Sequence, residues 1–298
     1  VLEEVTVTAR KKEESLSDVP ISISAVSGDF LQESNLSDLL GLADEIPNLS
    51  FGEAFNSSDR FAIRGVSTNG NNIGFEQAVG FNIDGYYFGR SRFGQTMFLD
   101  LERVEVLKGP QNTLIGKNNT AGAINITTRK PGDEFGGYLA TSYDFEAGEG
   151  FAVEGAVDLP LGNNVRSRIA ARLEDKDGYM EHGLTGSDVS GARDNFTIRG
   201  IVQWDITERV DATLLYQYGE IDRGARPREA GGNCNVAHPI DDCSYNNVKY
   251  EAAFWAGENR EDDFVTETDY SMVGLTFNWQ LNDSWTLSSL TNFTSYEG

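Results

Sequence analysis

The chain has 298 residues and is strongly acidic, with 47 Asp and Glu side chains against 24 Lys and Arg and a formal net charge of −23. This balance excludes a general binder of nucleic-acid phosphates, and the mean hydropathy of −0.39, with no apolar run near the roughly 18 residues of a membrane helix, excludes a helical membrane protein. Thirty-two Gly and 17 Phe residues against 7 Pro are typical of many short strands and turns, and such strands can also cross a membrane.

The N-terminal part predicts an extended terminus followed by a compact mixed domain. A strand is predicted over residues 21–26, a short helix begins after Ser27, and a second helix is capped by Asn35. Residues 48–131 consist of short apolar runs broken by Gly and Asn, which predicts small strands joined by tight turns. The expected division is into a flexible terminal segment, a mixed domain and a strand region, at residues 1–18, 19–132 and 133–298.

Seven segments of about ten residues follow residue 132, and several alternate between apolar and polar residues. The clearest alternation places one set of side chains on one face of a strand and a charged set on the other. The apolar face carries Val165, Ile169, Ala171 and Leu173, and the charged face carries Arg166, Arg168, Arg172, Glu174 and Lys176. A half-buried soluble sheet has the same period, so the alternation by itself leaves a secreted soluble β protein open.

The connections between these segments favour a membrane barrel, because short and long connections alternate along the chain. In an antiparallel sheet this places tight turns at one end and long loops at the other, as in outer-membrane barrels. Seven strands do not close such a barrel, and one that encloses a domain of this size needs about twenty or more strands. We therefore expect a mixed α/β domain followed by antiparallel transmembrane β-barrel strands, an incomplete part of a barrel of about 22 strands in a longer protein.

The sequence of a chain organised in this way resembles the TonB-dependent outer-membrane receptors over its whole length. The segments FAIRGV, GFNIDGYYFG and LDLERVEVLKGPQNTLIGKNNTAGAINITTRKP resemble the signature of that family's plug domain. The run Asn118-Asn119-Thr120 and the residues at 121–123 depart mildly from the family pattern inside a turn. The plug signature comprises Arg64, Gly65, Asp84, Gly85, Glu102, Arg103, Glu105, Lys108, Gly109, Pro110, Gly116, Gly122 and Asn125.

The resemblance also gives a role to the N-terminal segment. The run EVTVTA resembles the TonB box, which pairs with the periplasmic domain of TonB, itself coupled to the inner-membrane ExbB/ExbD complex. Its Val and Thr residues are β-prone, and an extended segment can add a strand to a partner's sheet edge. The assigned residues are Glu4, Val5, Thr6, Val7, Thr8 and Ala9.

The resemblance implies that the solute is bound by loops at the outer apex of the plug. Amides and aromatic faces suit sugars or neutral chelates, whereas arginines suit an anionic ferric siderophore. The candidate ligand-binding residues are Asn71, Asn72, Gln77, Tyr87, Arg90 and Arg92. In the oxidising exterior that the resemblance implies, Cys234 and Cys243 are expected to form a loop disulfide rather than to bind a metal.

Charged side chains of the plug are expected to face the inner wall of the barrel. The plug side chains are Arg64, Glu102, Arg103, Glu105, Lys108, Arg129 and Lys130, and their expected partners include Arg166, Arg168, Arg172 and Glu174. Buried pairs of this kind specify the placement of a domain more than they stabilise it, and they can separate under a mechanical pull.

The expected function is active uptake of a scarce solute, most readily a ferric siderophore, across the outer membrane of a Gram-negative bacterium. Contacts with outer-membrane lipid, the solute and TonB are implied, with no nucleic acid, metal site or cofactor. No nucleophile elbow, P-loop or dinucleotide motif is present, so an enzyme is not expected. The alternatives are a passive or adhesive barrel, an importer of oligosaccharides or aromatic compounds, and a secreted β module.

Overall fold

The structure is a computed structural model of the chain. It describes residues 6–7, 14–15, 18–34, 36, 38–53, 59–68, 76–89, 98–145, 149–177, 180–181, 188–190, 193–223 and 266–297. Within these ranges, no helix is both long enough and apolar enough to span a membrane. Part of the predicted site lies outside them and stays a prediction: Glu4, Val5, Thr8, Ala9, Asn71, Asn72, Arg90, Arg92, Cys234 and Cys243.

The N-terminal domain is built on a five-stranded sheet accompanied by short helices. Its described strands are β1 (Thr6–Val7), β2 (Glu14–Ser15), β3 (Ile23–Ser27), β4 (Leu49–Glu53), β5 (Asp59–Ile63), β6 (Val79–Ile83), β7 (Tyr86–Phe88), β8 (Leu101–Lys108) and β9 (Gly122–Thr128), and its described helices are α1 (Gly28–Glu33), α2 (Leu39–Glu45) and α3 (Asn112–Ile115). The sheet order is β3-β8-β9-β6-β7. The neighbours β6 and β9 run parallel, and the other neighbours run antiparallel.

One of the two predicted helix starts is confirmed and the other is wrong. The Ser27 hydroxyl accepts a hydrogen bond from the backbone N–H of Phe30 at 3.2 Å, so Ser27 caps α1 as predicted. The cap of α2 is Asp38, whose carboxylate accepts from the backbone N–H of Gly41 at 2.9 Å. Leu36 lies before this helix, and its N–H bonds back to the carbonyl of Leu31. The second helix therefore begins later than the sequence predicts.

The core of the N-terminal domain lies in its central strands. All five residues of β6 are buried, which is typical of a strand covered on both faces. The fully buried side chains around it include Phe81, Ile83, Ile124 and Ile126. Ile201, Leu215 and Met272, from the C-terminal part of the chain, belong to the same apolar cluster. The N-terminal domain is therefore packed against the strand region.

The strand region forms one antiparallel sheet whose strands follow the order of the chain. Its described strands are β10 (Gly136–Asp144), β11 (Gly150–Pro160), β12 (Val165–Lys176), β13 (Met180–Glu181), β14 (Asp188–Ser190), β15 (Arg193–Thr207), β16 (Val210–Arg223), β17 (Thr266–Asn282) and β18 (Trp285–Glu297). The seven long strands pair in the order β10-β11-β12-β15-β16-β17-β18, and β13 pairs with β14 in the connection between β12 and β15. This confirms the seven predicted segments, and the sheet is open rather than closed.

The two faces of this sheet differ as the alternation predicts. On β12, Ile169 and Leu173 are 44% and 50% exposed, whereas Arg168 is 6% exposed on the opposite face. Apolar and aromatic side chains, among them Trp204 and Trp279, are about half exposed on the same outer face. The inner face carries the buried Arg168 and Arg199 together with apolar side chains such as Ile201, and it contacts the N-terminal domain.

The outer face also carries carboxylates that lie opposite one another, at the end with the long connections. Asp175, Asp194, Asp222 and Glu267 are partners in register across four strands. A second row contains Glu220, Asp269 and Glu297. Like charges that are directly opposed destabilise a sheet.

We therefore expect Asp222→Asn to raise the free energy of unfolding by about 0.2–1 kcal/mol, because Asp222 has a carboxylate on each side. Denaturant unfolding in detergent at low and high salt measures the effect, and the gain should shrink at high salt through screening. The matched control is Asp283→Asn, since Asp283 is exposed in a turn 3.8 Å from Arg209. An equal gain in the control, or a gain that does not depend on salt, would contradict the prediction.

Candidate functional site

A tight turn positions the two tyrosines that follow the Asp-Gly pair of the signature. Asp84 and Gly85 have φ angles of 48° and 83°, as the two central residues of a short hairpin turn require. The Asp84 carboxylate accepts hydrogen bonds from the N–H and the hydroxyl of Thr128, at 3.1 and 2.6 Å, and pairs with the Lys130 ammonium at 2.7 Å. The turn is thereby tied to the end of β9, and the side chains of β7 leave it in fixed, alternating directions.

Tyr87 lies in a polar cluster that we call the Tyr87 corner, formed by Glu76, Tyr87, Lys117 and Asn118. The amide of Asn118 donates to the Tyr87 hydroxyl at 2.5 Å, and the Lys117 ammonium lies 5.8 Å from the centre of the Tyr87 ring. Lys117 also lies 3.7 Å from the Glu76 carboxylate, and both side chains are exposed. Burial raises the pKa of Tyr87, while the bond from Asn118 and the charge of Lys117 oppose the rise. The hydroxyl therefore remains protonated at neutral pH and can exchange hydrogen bonds with a ligand.

Of the six predicted ligand residues, Tyr87 lies in this corner. Gln77 is half-buried and follows Glu76 in the chain, and the other four lie outside the described residues. Lys117 and Asn118 were not predicted as ligand residues. The available signal was the Asn-rich run at 118–120, which departs from the family pattern in the turn that contacts Tyr87. Among the residues that the structure describes, no group of three or more His, Cys, Asp or Glu side chains is arranged to hold a metal ion.

Tyr86, on the other face of β7, anchors the hairpin to the C-terminal sheet at what we call the Tyr86 seat. Its side chain is buried, and its hydroxyl shares a 2.7 Å hydrogen bond with the hydroxyl of Thr276 on β17. Its ring lies over Gly274, where any Cβ atom would come within 2.6 Å of the ring. Burial raises the pKa of Tyr86, so the hydroxyl is neutral at this contact.

The second contact between the domains is the segment Leu99–Leu101 against the inner face of β11, β12 and β15, which we call the seam. Asp100 is 2% exposed, and both of its carboxylate oxygens accept from Arg168, at 2.6 and 2.7 Å. Arg168 also donates to Asp158 at 2.6 Å. The backbone N–H of Asp100 donates to Glu154 at 3.1 Å. The bidentate geometry makes Asp100–Arg168 a strong and specific contact.

A second arginine of the wall, Arg199, meets the same segment. It is 1% exposed and donates from Nη1 to the carbonyl of Leu99 at 2.6 Å and from Nε to Gln217 at 2.8 Å. Gln217 in turn donates to the hydroxyl of Tyr270 at 2.7 Å. The Nη2 atom of Arg199 has no hydrogen-bond partner among the described residues.

A charged residue of the plug does contact the inner face of the strand region, as predicted. Most of the residues that were named for this contact, however, are seen paired within the N-terminal domain. Lys108 donates to Ser24 at 2.8 Å, Arg129 pairs with Asp29, and Lys130 pairs with Asp84, all inside the N-terminal domain. Arg103 likewise contacts its neighbours on β8, Glu102 and Glu105.

On the wall side, only Arg168 of the four named residues is seen paired with the Leu99–Leu101 segment. Arg172 pairs with Glu154 on β11 at 3.0 Å, and Arg166 pairs with Asp133 and Asp205. Asp100, which carries the contact from the other side, was not among the predicted residues.

The remaining signature residues shape turns and the sheet rather than a ligand surface. The turn after β5 contains Arg64 and Gly65, both at positive φ. Asn125 accepts from the amide of Asn82 at 2.9 Å across β9 and β6. The turns around α3 use residues at positive φ, and the set there comprises Gly109, Gly116 and Gly122, with Pro110 following Gly109.

The predicted TonB box is described only at Thr6 and Val7. These residues are extended, as predicted, but they pair with Ser15 and Glu14, and Val7 is fully buried. At these two residues the segment is therefore held in a ladder, which differs from the free, flexible terminus that the charges of residues 1–18 predict. The reason is that β-prone residues pair with whichever strand edge lies nearby.

The comparisons with known proteins agree with this architecture. Residues 15–123 match the family described as the TonB-dependent receptor plug domain. The ferrioxamine B receptor of Salmonella typhimurium is 26% identical over 190 residues, and the ferripyoverdine receptor of Pseudomonas aeruginosa is 24% identical over 208 residues. These matches cover 63% and 69% of this chain and 24% of each relative, so the chain spans about a quarter of the length of these relatives.

The fold is shared with solved receptors. The crystal structure of the ferric yersiniabactin uptake receptor FyuA from Yersinia pestis superposes with a TM-score of 0.75 at 18% identity, covering 93% of this chain and 41% of that one. The family match, the relatives and this shared fold lead to one conclusion: residues 15–123 belong to the plug-domain family of the TonB-dependent receptors, and the chain as a whole shares the fold of solved receptors.

Proposed function

We propose that this chain forms the plug and the first barrel strands of an active transporter. The transporter binds a scarce ferric chelate outside the cell and imports it into the periplasm with energy relayed by TonB. The open edges of the sheet, at β10 and β18, support a longer barrel, because unpaired strand edges are costly in lipid. Further strands would pair with both edges.

The observation that carries this proposal is the position of the plug on the inner face of the sheet. Asp100 and Tyr86 are bound to wall residues by hydrogen bonds and an ion pair. A passive porin or an adhesive barrel needs no domain in its lumen, whereas a gated transporter needs one that blocks the path and can move. The placement therefore favours active uptake over the passive alternative.

The solute class is inferred from the relatives and from the Tyr87 corner. Two relatives are named for ferric siderophores, ferrioxamine and pyoverdine. The corner offers a phenol, an amide and an exposed ammonium, which suit the oxygen-rich surface of a ferric chelate. Oligosaccharides and aromatic compounds can also stack on a tyrosine, so they are the competing solutes in the experiment below.

Energy coupling is assigned to residues 4–9, and no catalytic step is needed. Thr6 and Val7 already adopt the extended conformation that strand addition to TonB requires. The two named relatives are receptors rather than enzymes. We therefore infer transport without covalent chemistry.

The experiment introduces Val5→Pro and Val7→Pro together in the full-length receptor. Proline removes the backbone N–H groups that a strand donates, so TonB-driven uptake should fall to the level of a strain without TonB, while solute binding to whole cells persists. Radioiron-labelled ferrioxamine B and ferripyoverdine are the probes, and a labelled maltooligosaccharide tests the competing class.

The matched control replaces the same two residues with Thr, which keeps both N–H groups and the β-propensity. Unchanged uptake in the proline variant would refute the TonB-box assignment. Binding of the sugar without binding of either chelate would refute the solute class.

A further inference from the structure

The seam contains two buried arginines, Arg168 and Arg199, and of these two only Arg168 is seen hydrogen-bonded to a carboxylate. Arg168 contacts two carboxylates, Asp100 and Asp158, whereas Arg199 contacts only neutral oxygens among the described residues, and its Nη2 atom is left open. The carboxylates of Asp84, Asp100 and Glu154 lie near enough to interact electrostatically with Arg199, but none of them is seen to accept a hydrogen bond from it. A buried guanidinium with an unused N–H group is costly, so its presence at a domain contact needs a physical reason.

The two arginines are close enough to share one carboxylate. In the pairing of β12 with β15, Arg168 lies opposite Ile201, and Arg199 lies opposite Ala170. Arg168 and Arg199 are therefore diagonal neighbours on the inner face, a spacing that long side chains can bridge. Arg199 already touches the carbonyl of Leu99, the residue before Asp100.

Asp100 lies at a bend of the backbone beside a small cavity. Its φ angle is 51°, a left-handed conformation that Asp and Asn adopt more readily than most other residues. This cavity of about 90 Å³ is lined by Phe98, Asp100, Glu154 and Arg172, which is room for several waters. The cavity adjoins Asp100 on the side of β10, β11 and β12, and Arg199 is not among the residues that line it.

We propose that Arg199 is a positioning residue, a second seat for the Asp100 carboxylate when the plug moves along the wall during uptake. When Asp100 leaves Arg168, Arg168 keeps Asp158, which the backbone N–H of Gly132 holds at 3.0 Å. Asp100 then pairs with the open Nη2 of Arg199, so neither position leaves the carboxylate unpaired. The exchange gives the plug two discrete positions separated by a small charge rearrangement. This inference rests on the proposed transport function.

The test is Arg199→Gln in the full-length receptor, with three measurements: chelate binding, TonB-dependent uptake per receptor and the denaturation midpoint. The probe is whichever labelled chelate the wild type imports. We expect binding and midpoint near wild type, because the lost hydrogen bonds are offset by the removal of a buried charge whose desolvation is costly. Uptake should fall about tenfold, because the moved state loses its partner. Arg199→Lys, which keeps the cation, should restore part of the uptake.

Two controls separate this role from simple packing. Arg166→Gln removes another guanidinium of the same wall, one that pairs with Asp133 and Asp205, and should leave uptake unchanged. In an Asp100→Asn background, Arg199→Gln should cause no further loss, because both changes act through the same contact.

Unchanged uptake in Arg199→Gln, or a loss that matches a loss of folded receptor, would overturn the inference. Equal uptake by wild type with and without TonB would instead overturn the proposed function. The two failures are therefore distinguishable in one set of strains.

Discussion

Asp100→Asn is expected to lower the free energy of unfolding by about 3–5 kcal/mol, because it breaks a buried bidentate ion pair and leaves Arg168 with a single carboxylate. Asparagine tolerates the left-handed backbone at this position, so the change tests the charge rather than the turn. Amide hydrogen exchange in β8 and β9 in mild detergent, with denaturant titration, measures the loss.

The control for this substitution is Asp133→Asn. Asp133 also pairs with a wall arginine, Arg166, at 2.9 Å, but its side chain is 83% exposed. Exposed pairs contribute little, so the change should stay within about 0.5 kcal/mol. If both variants lose the same stability, burial of the Asp100 pair is not what holds the plug to the wall.

Gly274→Val is expected to displace Tyr86 from its seat and to cost about 1–3 kcal/mol, because a Cβ at Gly274 would overlap the Tyr86 ring. The displaced hairpin carries Tyr87, so chelate affinity should fall as well. Denaturation and binding of the labelled chelate measure the two effects.

A double-mutant cycle tests whether the cost of Gly274→Val comes from overlap with the Tyr86 ring. In a Tyr86→Ala background, Gly274→Val should cost little, because the ring it meets is gone. Gly200→Val is the matched control, since nothing lies within 4 Å of a Cβ at Gly200. A cost of Gly274→Val that persists without the Tyr86 ring would show that the glycine serves the strand itself rather than the seat.

Local sequence patterns were sufficient to predict the features that depend only on a residue and its near neighbours in the chain. The period of two on β12 placed Ile169 outside and Arg168 inside, because a strand must alternate its side chains whatever it packs against. The cap of α1 at Ser27 was predicted for the same reason. The cap of α2 was not, because Asn35 and Asp38 are both acceptable caps, and the choice depends on where the chain after Leu31 must turn.

The sequence by itself determined the architecture: a plug-like mixed domain, seven antiparallel strands and the faces of those strands. Only the tertiary structure decided the contacts of the site, because Asp100 and Arg168 are 68 residues apart and Tyr86 and Thr276 are 190 apart. A charged or aromatic side chain can pair with many partners at similar energy, so its actual partner is set by how the two domains dock. Periodicity determines which face a residue occupies, and packing determines what it meets there.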